Sequence, residues 1–240
     1  MKRVGIVKGL RHIIMMALLI SGLIVSFAGC GGGGGSNPQP TPGTVPIDFT
    51  DDFSDESGGW AKGTYVGYSS GKYFIESNSE TYLERKSVFT RWLVNNYRVA
   101  VDIENVYGDR KAMGGFFFNW NETYISGDYY IFTITPIIQR FTIARYDRND
   151  WFGLDILHED SSTLINTTTS NRIEVEVNNG AATFYINDPE TSVWSTPVAM
   201  HPAGERVAFY LSNYYVDFSG YLYIRMNFDN FHVVGTELVK

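Results

Sequence analysis

Arg172-Ile173-Glu174-Val175-Glu176-Val177 places three β-branched apolar residues at one parity and three charges at the other. A period of two belongs to a pleated strand with one face in a core and one in water. Val99-Ala100-Val101-Asp102-Ile103-Glu104 repeats it, and from Ile47 onward no stretch carries a convincing helical period. Further strands are expected at Lys72–Glu76, Thr81–Arg85, Ala112–Trp120, Tyr129–Thr135, Phe141–Tyr146, Thr183–Asn187, Val207–Ser212 and Leu222–Val234. Gly115-Phe116-Phe117-Phe118 and Tyr129-Tyr130-Ile131-Phe132 are apolar at both parities, which predicts central strands covered on both sides. Turn residues separate the runs at Ser69-Ser70-Gly71, Gly108-Asp109, Gly127-Asp128, Asn178-Asn179-Gly180 and Pro202-Ala203-Gly204. So many short strands without a helix predict an all-β, two-sheet antiparallel β-sandwich over 47–240. Two small domains are the alternative, although no linker and no fixed repeat period interrupts that stretch.

The N-terminal residues are different material. The stretch 1–11 is basic and free of acids, and 13–28 is apolar, broken only by Ser21, Gly22 and Ser26. As a helix that run covers roughly 24 Å, short of a hydrocarbon core of about 30 Å. A charged start, a short apolar middle and the small residues Ala28 and Gly29 mark a secretory signal peptide over 1–29. Phe27-Ala28-Gly29-Cys30 resembles the lipobox of bacterial lipoproteins. In that family the Cys sulfur receives a diacylglyceryl group and the chain is cut just before it. The resemblance implies lipidation at Cys30, acyl chains in a membrane and residence in the cell envelope. Gly31 is not an acid, so the inner-membrane retention signal is missing and the analogy favours the outer membrane. Cys30 is the only thiol in the chain, which suits an oxidising compartment. The glycines after it and the spaced prolines Pro38, Pro40 and Pro42 cannot build a core, so 30–46 is expected to be a lipidated tether.

Lys and Arg number 19 against 26 Asp and Glu, and four of those cations (Lys2, Arg3, Lys8, Arg11) belong to the leader. The remaining body carries 15 cations against 26 acids, or −11. That balance argues against nucleic acid as a partner.

The body resembles concanavalin A-like (laminin-G-like jelly-roll) domains. The resemblance is carried by Asp51-Asp52-Phe53-Ser54-Asp55 with Gly58-Gly59-Trp60, then Gly71-Lys72-Tyr73-Phe74-Ile75 and Tyr129-Tyr130-Ile131-Phe132-Thr133-Ile134. Asn171-Arg172-Ile173-Glu174-Val175 with Ala182-Thr183-Phe184-Tyr185-Ile186-Asn187 matches the following hairpin, and Asn227-Phe228-Asp229-Asn230-Phe231 the closing strand. Asn187-Asp188-Pro189 stands where the family usually has Asn-Gly. The resemblance implies two antiparallel sheets. Its members include carbohydrate binders, adhesion modules and glycoside hydrolases, so the fold does not choose among them.

Glucanases of that family carry Glu-x-Asp-x-x-Glu on one strand. Asp102 and Glu104 share a strand face, as do Glu174 and Glu176, but the third position holds Tyr107 or Asn179. No Gly-x-Ser-x-Gly and no phosphate loop occur, and His158 is expected in an acidic loop beside Glu159 and Asp160. No catalytic residue is assigned. Trp120 and Tyr124, Trp151, and Tyr214 with Tyr215 lie among polar loop residues and are the candidate ligand platform. Structural calcium is a candidate cofactor at Asp52, Asp55 and Asp229, because first and last strands commonly neighbour each other in jelly rolls. An acidic cap that discourages edge pairing is the competing explanation of the same residues. The expected function is a lipid-anchored, non-catalytic envelope sandwich that binds a glycan or another surface partner. A glycoside hydrolase or lyase with an unrecognised site, or a structural envelope protein, is the alternative.

Overall fold

The alternating runs pair as their parity requires, into two antiparallel sheets packed face to face. A computed structural model describes residues 43–77, 84–107, 112–120, 129–146, 154–198, 205–212 and 223–239. The first sheet holds β1 (Gly43–Asp51), β2 (Val66–Ser69), β3 (Lys72–Ser77), β5 (Leu93–Tyr107), β10 (Asn171–Asn178), β11 (Ala181–Ile186), β12 (Ser192–Pro197) and β14 (Ile224–Val239). The second holds β4 (Glu84–Val88), β6 (Met113–Trp120), β7 (Tyr129–Thr135), β8 (Arg140–Tyr146), β9 (Leu154–Ser161) and β13 (Arg206–Ser212). The one helical element among the described residues is a 3₁₀ turn at Pro136–Ile138.

The first sheet runs β12-β11-β10-β5-β14-β3-β2 and the second β4-β13-β6-β7-β8-β9. β14 is long because it serves three partners. Its whole length lies along β5, while its other flank takes β3 over 224–228 and β1 over 231–239. At the changeover Asn230 sits at φ 47°, a left-handed conformation that Asn tolerates, and the β5–β14 pairing shifts between Asp229 and His232. The turns at Ser70-Gly71 and Asn179-Gly180 have positive φ at both central residues, as two-residue hairpins demand. The both-sides-apolar segments in β6 and β7 lie in the middle of the second sheet, as expected.

The core fills the space between the sheets with residues of one parity from each, including Tyr73, Ile75, Val99, Val101, Ile103, Phe116, Phe118, Phe132, Ile173, Val175, Phe209 and Phe228. Trp60 enters it from outside any strand. Its ring stacks on Phe209 at 4.3 Å and meets Phe231 edge-on at 5.1 Å. Its Nε1–H donates to Asp51 Oδ2 at 3.0 Å.

Four strands depart from the sequence expectation. β1 begins at Gly43, inside the stretch assigned to the tether, and Gly43–Pro46 pair with Thr236–Val239. β2 and β12 are short and rich in Ser, with little apolar alternation. β9 replaces the expected acidic loop: His158 points inward and stacks on Trp194 of β12 at 5.1 Å and 5°. The two residues close the gap between the edge strands of the two sheets. Of the expected strand Thr81–Arg85, residues 81–83 lie outside the described residues, and β4 runs on to Val88.

Candidate functional site

The two outward faces of the sandwich are chemically opposite. On the first sheet the outward parity of β3, β5, β10 and β14 is charged, and the charges pair across strands. Arg172 Nη1 meets Asp102 Oδ1 at 3.1 Å, Lys72 Nζ meets Glu104 Oε2 at 2.7 Å, and Arg225 Nη1 meets Glu76 Oε2 at 3.7 Å. Arg98 bonds Glu174. Asn230 Nδ2 donates to the second Asp102 oxygen at 2.8 Å. The hydrogen bond from Lys72 holds the Glu104 carboxyl below the usual carboxylate range, against the opposing effect of partial burial. A glycosidase general acid needs the opposite shift. Asp102 and Glu104, the incomplete glucanase-like pair, are therefore rungs of a charge ladder.

On the second sheet the outward parity is apolar. Ile156, Ala144, Ile131, Phe117 and Ala208 stand opposite one another in a single row across β9, β8, β7, β6 and β13. Phe117, Ile131, Ala144, Ala208 and Tyr210 form a buried cluster separate from the main core, with Trp120, Tyr129 and Leu154 packed against it. Phe117 lies 4.9 Å from Tyr129 and 4.8 Å from Tyr210, and Tyr129 stacks on Tyr146 at 4.7 Å and 16°. Ile156 is 48% exposed.

A polar row runs beside the apolar one. Glu159, Thr142, Thr133, Gly115 and Tyr210 are successive cross-strand partners. Glu159 accepts from Arg140 Nη1 at 2.9 Å and from Thr142 Oγ1 at 3.3 Å. Gly115 leaves the middle of this row without a side chain. A Cβ there would fall 1.9 Å from the Phe132 carbonyl oxygen, so the close approach of β7 requires glycine.

A β-bulge brings Trp120 to this face. Arg206 stands opposite Trp120 and Ala208 opposite Phe117, so Phe118 and Asn119 together face Val207 alone. Asn119 takes φ 58° to make the insertion. The extra residue gives Trp120 the parity of Phe117 and aims it at the outer cluster.

Of the platform residues expected from sequence, Trp120 lies on this face. Tyr124, Trp151, Tyr214 and Tyr215 fall outside the described residues, as does Cys30. Sequence reasoning did not select Phe117, Tyr129, Tyr146, Leu154, Ile156 or Tyr210. The signal is apolarity at both parities of β6 and β7, which predicts burial on both sides, and Phe117, Ile131 and Tyr210 are indeed buried.

The calcium candidates gather where β1 leaves the sheet. An open cleft of about 340 Å³ is lined by Phe49, Asp51, Asp52 and Asp55 among others. Asp52 Oδ1 accepts the Ser54 N–H at 3.0 Å and Asp55 Oδ1 the Ser57 N–H at 2.7 Å. Hydrogen bonds from Ser54 and Ser57 hold both carboxyls below the usual range. Among the described residues no three His, Cys, Asp or Glu side chains are grouped to hold a metal ion. Asp229 moves the other way: burial raises its pKa, and the nearby Asp102 and Asp52 add to the rise. A carboxyl raised by folding contributes most below its unfolded pKa and costs stability as pH climbs through the folded value. Asp229→Asn is therefore expected to raise the thermal midpoint at pH 7, with the gain vanishing near pH 3. Calcium bound through Asp229 would reverse the sign in CaCl₂ but not in EGTA, so differential scanning calorimetry in both buffers also tests the calcium expectation.

No protein-family model matches the chain, and no curated protein does. Solved structures match across most of its length. A carbohydrate binding module, CBM66 from Bacillus subtilis, aligns at 12% identity over 75% of this chain and 95% of its own, with a TM-score of 0.54. A Bacillus licheniformis beta-glucanase aligns at 13% identity over 78% and 97%, with a TM-score of 0.55. A Bacillus subtilis protein of unknown function with a galectin-like fold aligns at 10% identity over 83% and 99%, with a TM-score of 0.57. These likenesses show the fold: a concanavalin A-like, galectin-like jelly-roll sandwich.

Proposed function

We propose that the protein is a non-catalytic glycan-binding sandwich of the cell envelope, anchored through a lipidated Cys30, that takes a saccharide on the outward face of its second sheet. The observation that carries this is the partly exposed rim of that face, Trp120, Tyr129, Tyr146, Leu154 and Ile156, which surrounds the buried middle of the apolar row and lies on the same face as the Glu159–Arg140 ion pair. Phe117, Ile131, Ala144 and Ala208 are at most 5% exposed, so a ligand on this face meets the rim and not the middle of the row. Saccharides present C–H patches to aromatic rings and hydroxyls to polar groups, and the rim offers both in the Trp120 and Tyr146 rings and the Glu159–Arg140 pair. The solved structures it resembles include a carbohydrate binding module, glucanases and a kappa-carrageenase complexed with an oligotetrasaccharide, which favours a saccharide over other occupants. The envelope location rests on the leader and Phe27-Ala28-Gly29-Cys30.

Affinity electrophoresis of the full chain through gels containing mixed-linkage β-glucan, levan, galactomannan or mucin tests the binding. Retardation in at least one gel is expected, and Trp120→Ala and Tyr146→Ala are each expected to weaken it about tenfold, or about 1.4 kcal/mol. Circular dichroism of both variants should match that of the parent. Free migration in every gel, or unchanged retardation in the double variant, would overturn the proposal. Release of reducing ends would restore the hydrolase alternative.

A further inference from the structure

At one end of the charged outward face of the first sheet stands a pair of tyrosines. Tyr107 at the end of β5 and Tyr223 just before β14 stack at 4.5 Å and 13°. Both hydroxyls donate to the same oxygen, Glu76 Oε2, at 3.3 and 3.0 Å. Arg225 neutralises Glu76 from 3.7 Å and lies over the Phe74 ring at 4.2 Å. Tyr223 is 48% exposed despite these fixings.

This arrangement does little for the fold. Tyr107, Tyr223 and Phe74 are absent from both buried clusters, and ion pairs tie the strands together elsewhere on the face. What it achieves is a large ring held still in water. Its stacking partner fixes the plane of Tyr223, and Glu76 fixes the hydroxyl. A ligand that stacks there finds the side-chain entropy already spent.

We propose that the Tyr107–Tyr223 pair is a second saccharide platform, separate from the one on the second sheet, and that its ligand is a neutral pyranose or furanose ring. Charge argues for neutrality. The cation beside it, Arg225, is engaged by Glu76, and the body as a whole is strongly acidic. Among the described residues, a uronate or sulfated sugar there would meet the Glu76 carboxylate with no spare cation to offset it. Rings with a free C–H face stack on tyrosine without that cost, and the Glu76–Arg225 pair lies at the edge of the rings. The two platforms point in opposite directions from sheets about 10 Å apart. A short oligosaccharide cannot touch both, so the domain holds two glycan strands and cross-links them. This shares the ligand class of the proposed function but stands on different residues.

Isothermal titration of the full chain with neutral hexasaccharides of mixed-linkage β-glucan, fructan and mannan, and with hexagalacturonate, separates the two sites. For at least one neutral hexasaccharide the expected stoichiometry is two per chain, falling to one in Tyr223→Ala, to one in Trp120→Ala and to none in the double variant. Tyr223→Phe keeps the stack, loses the Glu76 bond and should keep the second site with affinity reduced about threefold to tenfold. Hexagalacturonate should give no heat at this site. One site in the parent, lost in Trp120→Ala and untouched by Tyr223→Ala, overturns the second platform while the first stands. One site lost only in Tyr223→Ala leaves this platform and removes the first. No binding of any neutral hexasaccharide, or binding of hexagalacturonate that Tyr223→Ala abolishes, overturns the inference.

Discussion

Trp60→Ala is expected to cost about 3–5 kcal/mol of folding stability, the range for removing a buried Trp or Phe side chain. Trp60 is 4% exposed and lies among Phe53, Phe89, Phe209 and Phe231, all buried. It belongs to no strand, so backbone pairing does not hold the segment around it. The segment is fixed by the ring, by its Nε1–H bond to Asp51 at 3.0 Å, and by two tyrosine hydroxyls: Tyr68 accepts from the Trp60 N–H at 3.3 Å and Tyr73 donates to the Ala61 carbonyl at 2.8 Å. Alanine would leave a cavity between the sheets and free the loop together. A chain of this size loses about 2–4 °C of thermal midpoint per kcal/mol, so a fall of about 10 °C follows. Trp60→Phe would keep most of the stacking on Phe209 and lose only the bond to Asp51, at about 1–2 kcal/mol. Urea titrations of the three proteins should show midpoints in the order parent, Phe, Ala with a common slope. A loss under about 1 kcal/mol for alanine would mean that the ring does not fill the core.

Which strands were legible in the sequence follows from how each is buried. β10 and the Val99–Glu104 part of β5 bury one face, so their alternation is clean and the charges on the other face are the ladder. β9 was missed because its pairing with β8 slips at Ile143–Ala144, leaving Leu157 unpaired and breaking the alternation of an edge strand full of acids. β1 was missed at its start because Pro46 and Gly43 belong to tether chemistry, yet an edge position tolerates Pro. The site was less legible than the fold for a related reason. Trp120 could be picked as an aromatic near polar residues, but its outward aim depends on a bulge whose only mark is Asn119. The pairing of Asp102 with Arg172, 70 residues away, and of Glu104 with Lys72, 32 away, is set by strand order, which no local pattern encodes.

The largest effect outside the folded body is expected at Cys30. Expressed in a bacterium that matures lipoproteins, the chain should be recovered with the membranes, begin at Cys30 and carry the mass of its acyl groups. Cys30→Ser offers no sulfur for the diacylglyceryl transfer seen in lipoproteins, so it should keep the whole leader and carry no lipid. The energetic gap between the two forms is large. Each buried CH₂ contributes about 0.8 kcal/mol; one myristoyl chain binds marginally, and two hold stably. The leader of the variant offers an apolar run that falls short of a full span, so its hold on the bilayer should yield to washing where the lipidated form does not. The glycan proposal depends on this in a geometric way. From Cys30 to the first residue of β1 at Gly43 the chain can reach at most about 45 Å. The start of the domain would therefore lie within that distance of the membrane, and its platforms would meet glycans of the envelope or at its surface. Intact-mass spectrometry of the parent and variant, with carbonate-washed membranes assayed beside the soluble fraction, checks each step. A parent with a free thiol and an uncut N terminus would remove the anchor and leave both saccharide platforms to be judged in solution.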